Sequence, residues 1–148
     1  MENLKDFLTA KGYTRIKLKL TKTNHFEIKA QINGVKGKFI LDTGASNSCM
    51  DFESIEEFKL LAEESEVKAA GAGAIDMLTQ ISNKNKIKIG KWKNEKLALI
   101  LFNLSHVNSA LINHESEPVD GIIGADVLKK GKAIIDYEKK YLYLKMPV

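Results

Sequence analysis

Phe39-Ile40-Leu41-Asp42-Thr43-Gly44-Ala45-Ser46 is the stretch of this chain that decides its fold. Three consecutive apolar residues suit a strand buried on both faces, and they deliver a carboxylate directly into a turn. An Asp after a strand is ordinarily a turn former that accepts backbone N–H bonds, so Asp-Thr-Gly by itself carries little weight. Its surroundings carry more. Upstream, Phe26, Ile28, Ala30 and Ile32 alternate with Glu27, Lys29, Gln31 and Asn33, the period of a strand with one buried face. The run halts at Asn33-Gly34, a strong hairpin signal, and Gly37 to Asp42 is the returning strand.

Downstream, Val119-Asp120-Gly121-Ile122-Ile123-Gly124-Ala125-Asp126 forms a second apolar element, with Gly124 lying 82 positions beyond Asp42 (124 − 42). Between the two lies Ala69-Ala70-Gly71-Ala72-Gly73-Ala74, a run of small residues. Ile87 and Ile89 alternate with lysines before Gly90, and Leu97 to Phe102 is a continuous apolar run suited to a buried strand. Ala133 to Tyr137 and Tyr141 to Met146 form a last pair of strands around Glu138-Lys139-Lys140. Helical spacing is confined to Leu4, Phe7 and Leu8; to Ile55, Phe58, Leu61 and Ala62; and to Ala125–Lys130, where Asp126 is placed to cap and Gly131 to terminate. The acidic residues between 51 and 66 fit the solvated face of the second of these helices, and 103–118 reads as a loop.

Composition bounds the rest. At 148 residues, 44% hydrophobic and 28% charged, the chain fits one soluble domain over 1–148 and excludes collagen-like and disordered classes. Cys49 is alone, so no internal disulfide forms, and a reducing compartment is expected. The N-terminus has no apolar signal core, and no stretch reaches the length of a membrane span, so a cytoplasmic protein without membrane partners is expected. The net charge is +4, but Arg15 is the single arginine. Lysine lacks the planar fork that grips phosphates and bases, so the charge is read as solubility, with no nucleic-acid partner. His25, His106 and His114 lack metal-ligand spacing and default to surface or core roles. Gly71-Ala72-Gly73 begins a dinucleotide fingerprint, but position 76 is Asp76, so neither metal nor cofactor is expected. Gly-x-Ser-x-Gly is absent, which removes the common serine hydrolase motif.

Taken together, apolar-apolar-Asp42-Thr43-Gly44-Ala45, the Gly-rich segment and Ile122-Ile123-Gly124 before a short helix resemble the retropepsin-like aspartic proteases, in the family's order and over residues 25–145. The resemblance implies an all-β, closed barrel-like acid protease fold with short helices, with residues 1–24 as an N-terminal helix and strand extension. It implies that Asp42 is the catalytic aspartate. Thr43 would hydrogen-bond across a dimer axis, Gly44 would allow the tight turn, and Ile122, Ile123 and Gly124 would thread behind the active-site loop. Gly71, Ala72 and Gly73 match the substrate-covering flap loosely. Terminal strands would knit the dimer, with Tyr141 to Met146 a candidate. The family's compact viral members have a shorter Asp-to-Gly spacing than the 82 positions found in this chain.

The chemistry fits the resemblance. Hydrolysing an amide without a metal or covalent nucleophile takes one carboxylate as base for water and a second, protonated, to polarise the carbonyl and return a proton to nitrogen. One chain supplies one such turn, so a homodimer with Asp42 and its symmetry mate on the twofold axis is expected. At about 3 Å and an effective dielectric of 20, two carboxylates repel by about 5 kcal/mol, so the pair holds one proton over a range of pH. Pepsin-like lobes carry Ser or Thr where this chain has Ala45, and the missing hydroxyl predicts a working pH less acidic than pepsin's. The alternative to an endopeptidase is a non-catalytic peptide-binding or dimerisation module on the same fold.

Overall fold

The structure, a computed structural model, describes residues 3–64, 69–71, 74–77 and 79–147, with backbone alone at 64, 69–71 and 74–77. The Asn33-Gly34 signal becomes a two-residue turn joining β3 (Phe26–Ile32) to β4 (Val35–Leu41). Asn33 and Gly34 both have positive φ, 52° and 83°, the geometry whose twist matches paired strands. Asn33 also ties the turn down: its amide reaches the Phe58 carbonyl and the Asn85 side chain, each at 2.9 Å.

Six strands close into a barrel. Around the ring run β3, β4, β11 (Gly121–Ile123), β5 (Cys49–Asp51), β10 (Trp92–Phe102) and β9 (Gln80–Ile89), with a β3–β9 pairing completing the circuit. The short β2 (Lys19–Leu20) and β6 (Glu63–Glu64) extend it, and β7 (Ala69–Gly71) with β8 (Ala74–Met77) forms a separate two-stranded ribbon. Inside the barrel, Ile28, Ile32, Phe39, Met50, Leu99, Leu101 and Ile123 are buried in one cluster. The outward side chains Ile40, Cys49, Ile100, Phe102 and Ile122 form a second cluster, roofed by Leu104 and Leu111. Two apolar faces explain why Phe39–Leu41 and Leu97–Phe102 read as unbroken apolar runs.

The roof corrects the expected 103–118 loop, because Ser105–Asn113 is a helix, α2. Leu104, Val107 and Leu111 stand at helical spacing on the outer cluster, and that packing outweighs the weak helix propensity of Ser-His-Val-Asn. The opposite correction applies at 55–62. Phe52–Ser54 is a single 3-10 turn followed by turns, and Lys59 adopts φ 57°, which no helix tolerates. Of the acidic residues, Glu56 and Glu57 lie on these turns, Glu53 in the 3-10 turn, and Asp51, Glu63 and Glu64 in short strands, so they share no helix face. The other two helical spacings are helices: α1 (Leu4–Ala10), capped by the Asn3 carboxamide accepting from Asp6 N–H, and α3 (Ala125–Lys130).

The chain termini form a three-stranded sheet ordered β1 (Tyr13–Lys17), β13 (Tyr141–Lys145), β12 (Ile134–Asp136). The strand expected to knit a dimer, β13, is therefore paired along both edges within its own chain. An edge-to-edge partner has only β1 or β12 to meet in this sheet.

Candidate active site

Asp42 sits where the β4 ladder ends. Phe39, Ile40 and Leu41 pair in parallel with Gly121, Ile122 and Ile123, and Asp42 N–H carries the ladder one step further to the Ile123 carbonyl at 2.9 Å. The chain then turns. Ala45 N–H donates to the Asp42 carbonyl at 3.2 Å, and Gly44 N–H donates to Asp42 Oδ1 at 2.9 Å. The carboxylate is thus oriented by a main-chain donor while remaining exposed, as are Thr43 and Gly44; Ala45 is half-buried. Gly44 lies in this turn without a positive φ. A Cβ there would lie 3.3 Å from Asp42 Oδ1, so its bareness keeps the carboxylate uncrowded.

Ile122 and Ile123 are buried in β11, which is sandwiched between β4 and β5, and Gly124 follows behind the turn. A Cβ on Gly124 would fall 2.5 Å from the Ala45 carbonyl oxygen and 3.2 Å from the Asn47 carbonyl carbon, closer than atoms pack. Ala125 N–H donates to that same Ala45 carbonyl at 2.7 Å. Two main-chain segments more than 75 residues apart are therefore locked together at the turn.

The lock has a second part that the sequence reading missed. Ser48, fully buried, donates its hydroxyl to Asp126 Oδ1 at 2.7 Å and accepts from Gly124 N–H at 2.8 Å. Asp126 Oδ2 accepts from Ser48 N–H at 3.0 Å. Asp126 serves the start of α3 in part, Oδ1 also accepting from Val127 N–H at 2.8 Å, but not from the capping position. It lies inside the first turn, Gly124 holds the capping position without a side-chain bond, and the carboxylate reaches across to the chain beyond Asp42. A contact spanning 78 positions leaves no local signal.

Cys49 lies beside this network, 5% exposed. Burial pushes its thiol from an ordinary 9.0 up to about 12, opposed by a backbone hydrogen bond at Ile122 and reinforced by the charges of Asp126 and Asp42. A protonated, enclosed thiol is no nucleophile. Below about pH 9 the thiol is protonated in both folded and unfolded chains. Between 9 and about 12 only the unfolded chain releases the proton, so stability falls as pH rises, by up to about 4 kcal/mol across the window. Chemical unfolding at stepped alkaline pH should show this slope in the wild type and a flatter one in Cys49→Ala. Native protein at pH 8 should resist thiol alkylation that denatured protein undergoes at once.

A depression of about 190 Å³ opens next to Asp42, lined by Phe26, Leu41, Ile135 and Tyr137 with His25 and Thr43 at its rim. Tyr137 is 72% exposed and its ring packs at 4.8 Å against Phe26. His25, read from sequence as an ordinary surface or core residue, hydrogen-bonds Thr23 through Nδ1 at 2.8 Å on this rim. Of the expected flap residues, Gly71 ends β7, which pairs with β8 through Gly71↔Ala74, while Ala72 and Gly73 lie outside the described residues. Among the described residues no cluster of three His, Cys, Asp or Glu could hold a metal ion, and no helix is long and apolar enough to cross a membrane.

Known proteins place this geometry. Residues 28–127 match the sequence profile described as Aspartyl protease. No curated protein matches the chain in sequence. Among solved structures, a retropepsin-like aspartic protease from Rickettsia conorii is 22% identical with a TM-score of 0.57, covering 90% of each chain. EIAV protease in complex with the inhibitor HBY-793 is 20% identical with a TM-score of 0.56, over 74% of this chain and 90% of that one. The retroviral protease-like domain of Ddi1 from Leishmania major is 19% identical with a TM-score of 0.53, over 88% and 97%. At these identities the structures speak for the retropepsin-like fold, and the profile spanning residues 28–127 speaks for the lineage: the chain belongs to the aspartyl protease family.

Proposed function

We propose that the protein is an aspartic endopeptidase that works as a homodimer, with Asp42 of each chain supplying one carboxylate of the catalytic pair. The observation that carries this reading is the state of Asp42: an exposed carboxylate on a turn fixed by the Ile123 ladder and the Gly124 lock. Preorganisation of that kind serves proton transfer, which needs the acid and base held within hydrogen-bond reach of the reacting water. One carboxylate removes a proton from water as oxygen attacks the scissile carbonyl. Its protonated mate donates to the carbonyl oxygen and later hands a proton to the departing nitrogen.

The dimer contact in this proposal is β12, the edge strand, rather than β13. Ile134 and Ile135 are half-buried, and Ile135 lines both the depression beside Asp42 and a second one against Thr43 and α3. Antiparallel pairing of β12 with its symmetry mate covers these side chains and carries the two Thr43–Asp42 turns toward one axis. The β7–β8 ribbon serves as the flap that covers an extended substrate, and Phe26, Leu41 and Tyr137 provide an apolar wall for one substrate side chain. Hydrolysis of a peptide library by wild type but not by Asp42→Asn is the expected result. Equal background in both leaves the non-catalytic peptide-binding module. Ala45 donates its N–H to the Asp42 main-chain carbonyl and has no hydroxyl to offer the carboxylate, so the cleavage profile should peak on the mildly acidic to neutral side; a peak below about pH 3, as for pepsin's dyad, contradicts this.

A further inference from the structure

The barrel's outer wall carries a lysine groove that the catalytic site does not use. On β3, β4 and β9 the inward residues fill the core, and one stretch of the outward face is rich in lysine: Lys29, Lys36, Lys38 and Lys88, with Gln31 among them and the buried Glu27 two residues before Lys29. The register puts Lys29 opposite Lys38, and Gln31 between Lys36 and Lys88. Together they line a groove of about 610 Å³ that ends at Asp120. Like charges placed directly across a ladder destabilise a sheet, so this arrangement opposes the fold. Of these four lysines, Lys38 alone has a carboxylate partner among the described residues, Glu117; Lys29, Lys36 and Lys88 are exposed with none. Asp120, at the groove's end, accepts from Lys38 N–H through Oδ2 at 2.9 Å and forms no ion pair with these lysines among the described residues.

We propose that this groove binds an acidic, extended polypeptide segment. Glu or Asp side chains at alternate positions of an extended chain are about 6.6 Å apart, a spacing that matches lysines two residues apart on a strand, such as Lys36 and Lys38. Gln31, half-buried among the lysines, offers a donor and an acceptor to a peptide main chain. No residue lining the groove is aromatic or arginine, so it lacks the stacking and bidentate contacts of a nucleic-acid surface. Lys38 and Lys36 precede Asp42 by four and six residues, roughly 13 and 20 Å along β4. An acidic stretch a few residues from a scissile bond can therefore bind here while the bond reaches the catalytic turn. That use as a docking exosite rests on the protease reading; the binding itself does not.

The test is fluorescence anisotropy of a labelled peptide of about twelve residues with alternating Glu, its Gln counterpart, and single-stranded oligo-dT, on wild type and on Asp42→Asn, so that binding is read without hydrolysis. The Glu peptide should bind at least about tenfold more tightly than the Gln peptide and weaken with salt. Lys29→Glu/Lys88→Glu should weaken it by at least about tenfold with no fall in melting temperature, because Glu at 29 faces Lys38; Lys29→Gln/Lys88→Gln should weaken it in the same direction. A matched swap at Lys139 and Lys140, on the β12–β13 turn, should change affinity less than about twofold. Equal loss in that control, tighter binding of oligo-dT, or no preference for Glu over Gln would each overturn the proposal.

Discussion

Replacing Asp42 by Asn should lower peptide hydrolysis by about a thousandfold or more while leaving the fold intact, because the substitution removes a proton acceptor and donor from both halves of the site at once. The structure isolates the chemistry from the scaffold. Asp42 is exposed, so no buried charge is lost, and an Asn carbonyl oxygen can still accept from Gly44 N–H at the position Oδ1 holds. Unfolding free energy should therefore move by no more than about 0.5 kcal/mol. Loss of activity together with a large loss of stability would mean that Asp42 is a turn former first. Retained activity would remove it from the chemistry altogether.

Gly124→Ala should be the most damaging single-methyl change near the site, costing about 2–4 kcal/mol and most of the activity. The added carbon has no room: the Ala45 carbonyl oxygen is 2.5 Å from its position, and that oxygen is held by Ala125 N–H. Nor can the glycine segment retreat, because Gly124 N–H is tied to Ser48 Oγ, which is tied to Asp126. Overpacking between two main-chain segments ordinarily costs 1–3 kcal/mol, and a strained or broken buried hydrogen bond adds about 1 more. The Asp42 turn is what must move. Ser48→Ala is the useful comparison, since it adds no bulk but leaves Gly124 N–H without its partner and Asp126 Oδ1 with Val127 N–H alone, at a cost of about 1–3 kcal/mol. Denaturant unfolding of both variants with kcat measured in parallel checks the pair. A Gly124→Ala protein as stable and active as wild type would show that the contact with Ala45 relaxes freely.

What could be read from the residues was local. The hairpin of β3 and β4 follows from alternation and Asn33-Gly34, the doubly buried strands follow from unbroken apolar runs, and α3 follows from six residues closed by Gly131. Features set by distant contacts could not be read. α2 is helical because the outer faces of β4, β5, β10 and β11 need covering, and nothing in Asn-Leu-Ser-His-Val announces those strands. The spacing of Ile55, Phe58 and Leu61 mimics a helix, yet Phe58 turns into the core and Leu61 is 78% exposed, so one helical face cannot serve both. The terminal sheet shows the same limit: alternation in Tyr141 to Met146 identifies a strand but not its place between β1 and β12. At the site, Asp42 and its flanking residues were legible, whereas the Ser48–Asp126 lock and the wall of Phe26 and Tyr137 join residues 78 and 111 positions apart.

Mixing wild type with an excess of the Asp42→Asn chain tests the shared catalytic pair most directly. If each site needs one carboxylate from each of two chains, pre-equilibration with about a ninefold excess of the variant leaves roughly one wild-type chain in ten paired with another, and activity per wild-type chain should fall to about one tenth. Activity per wild-type chain that stays constant through the titration, with exchange between subunits verified, would show that a single Asp42 suffices and that the site is complete within one chain.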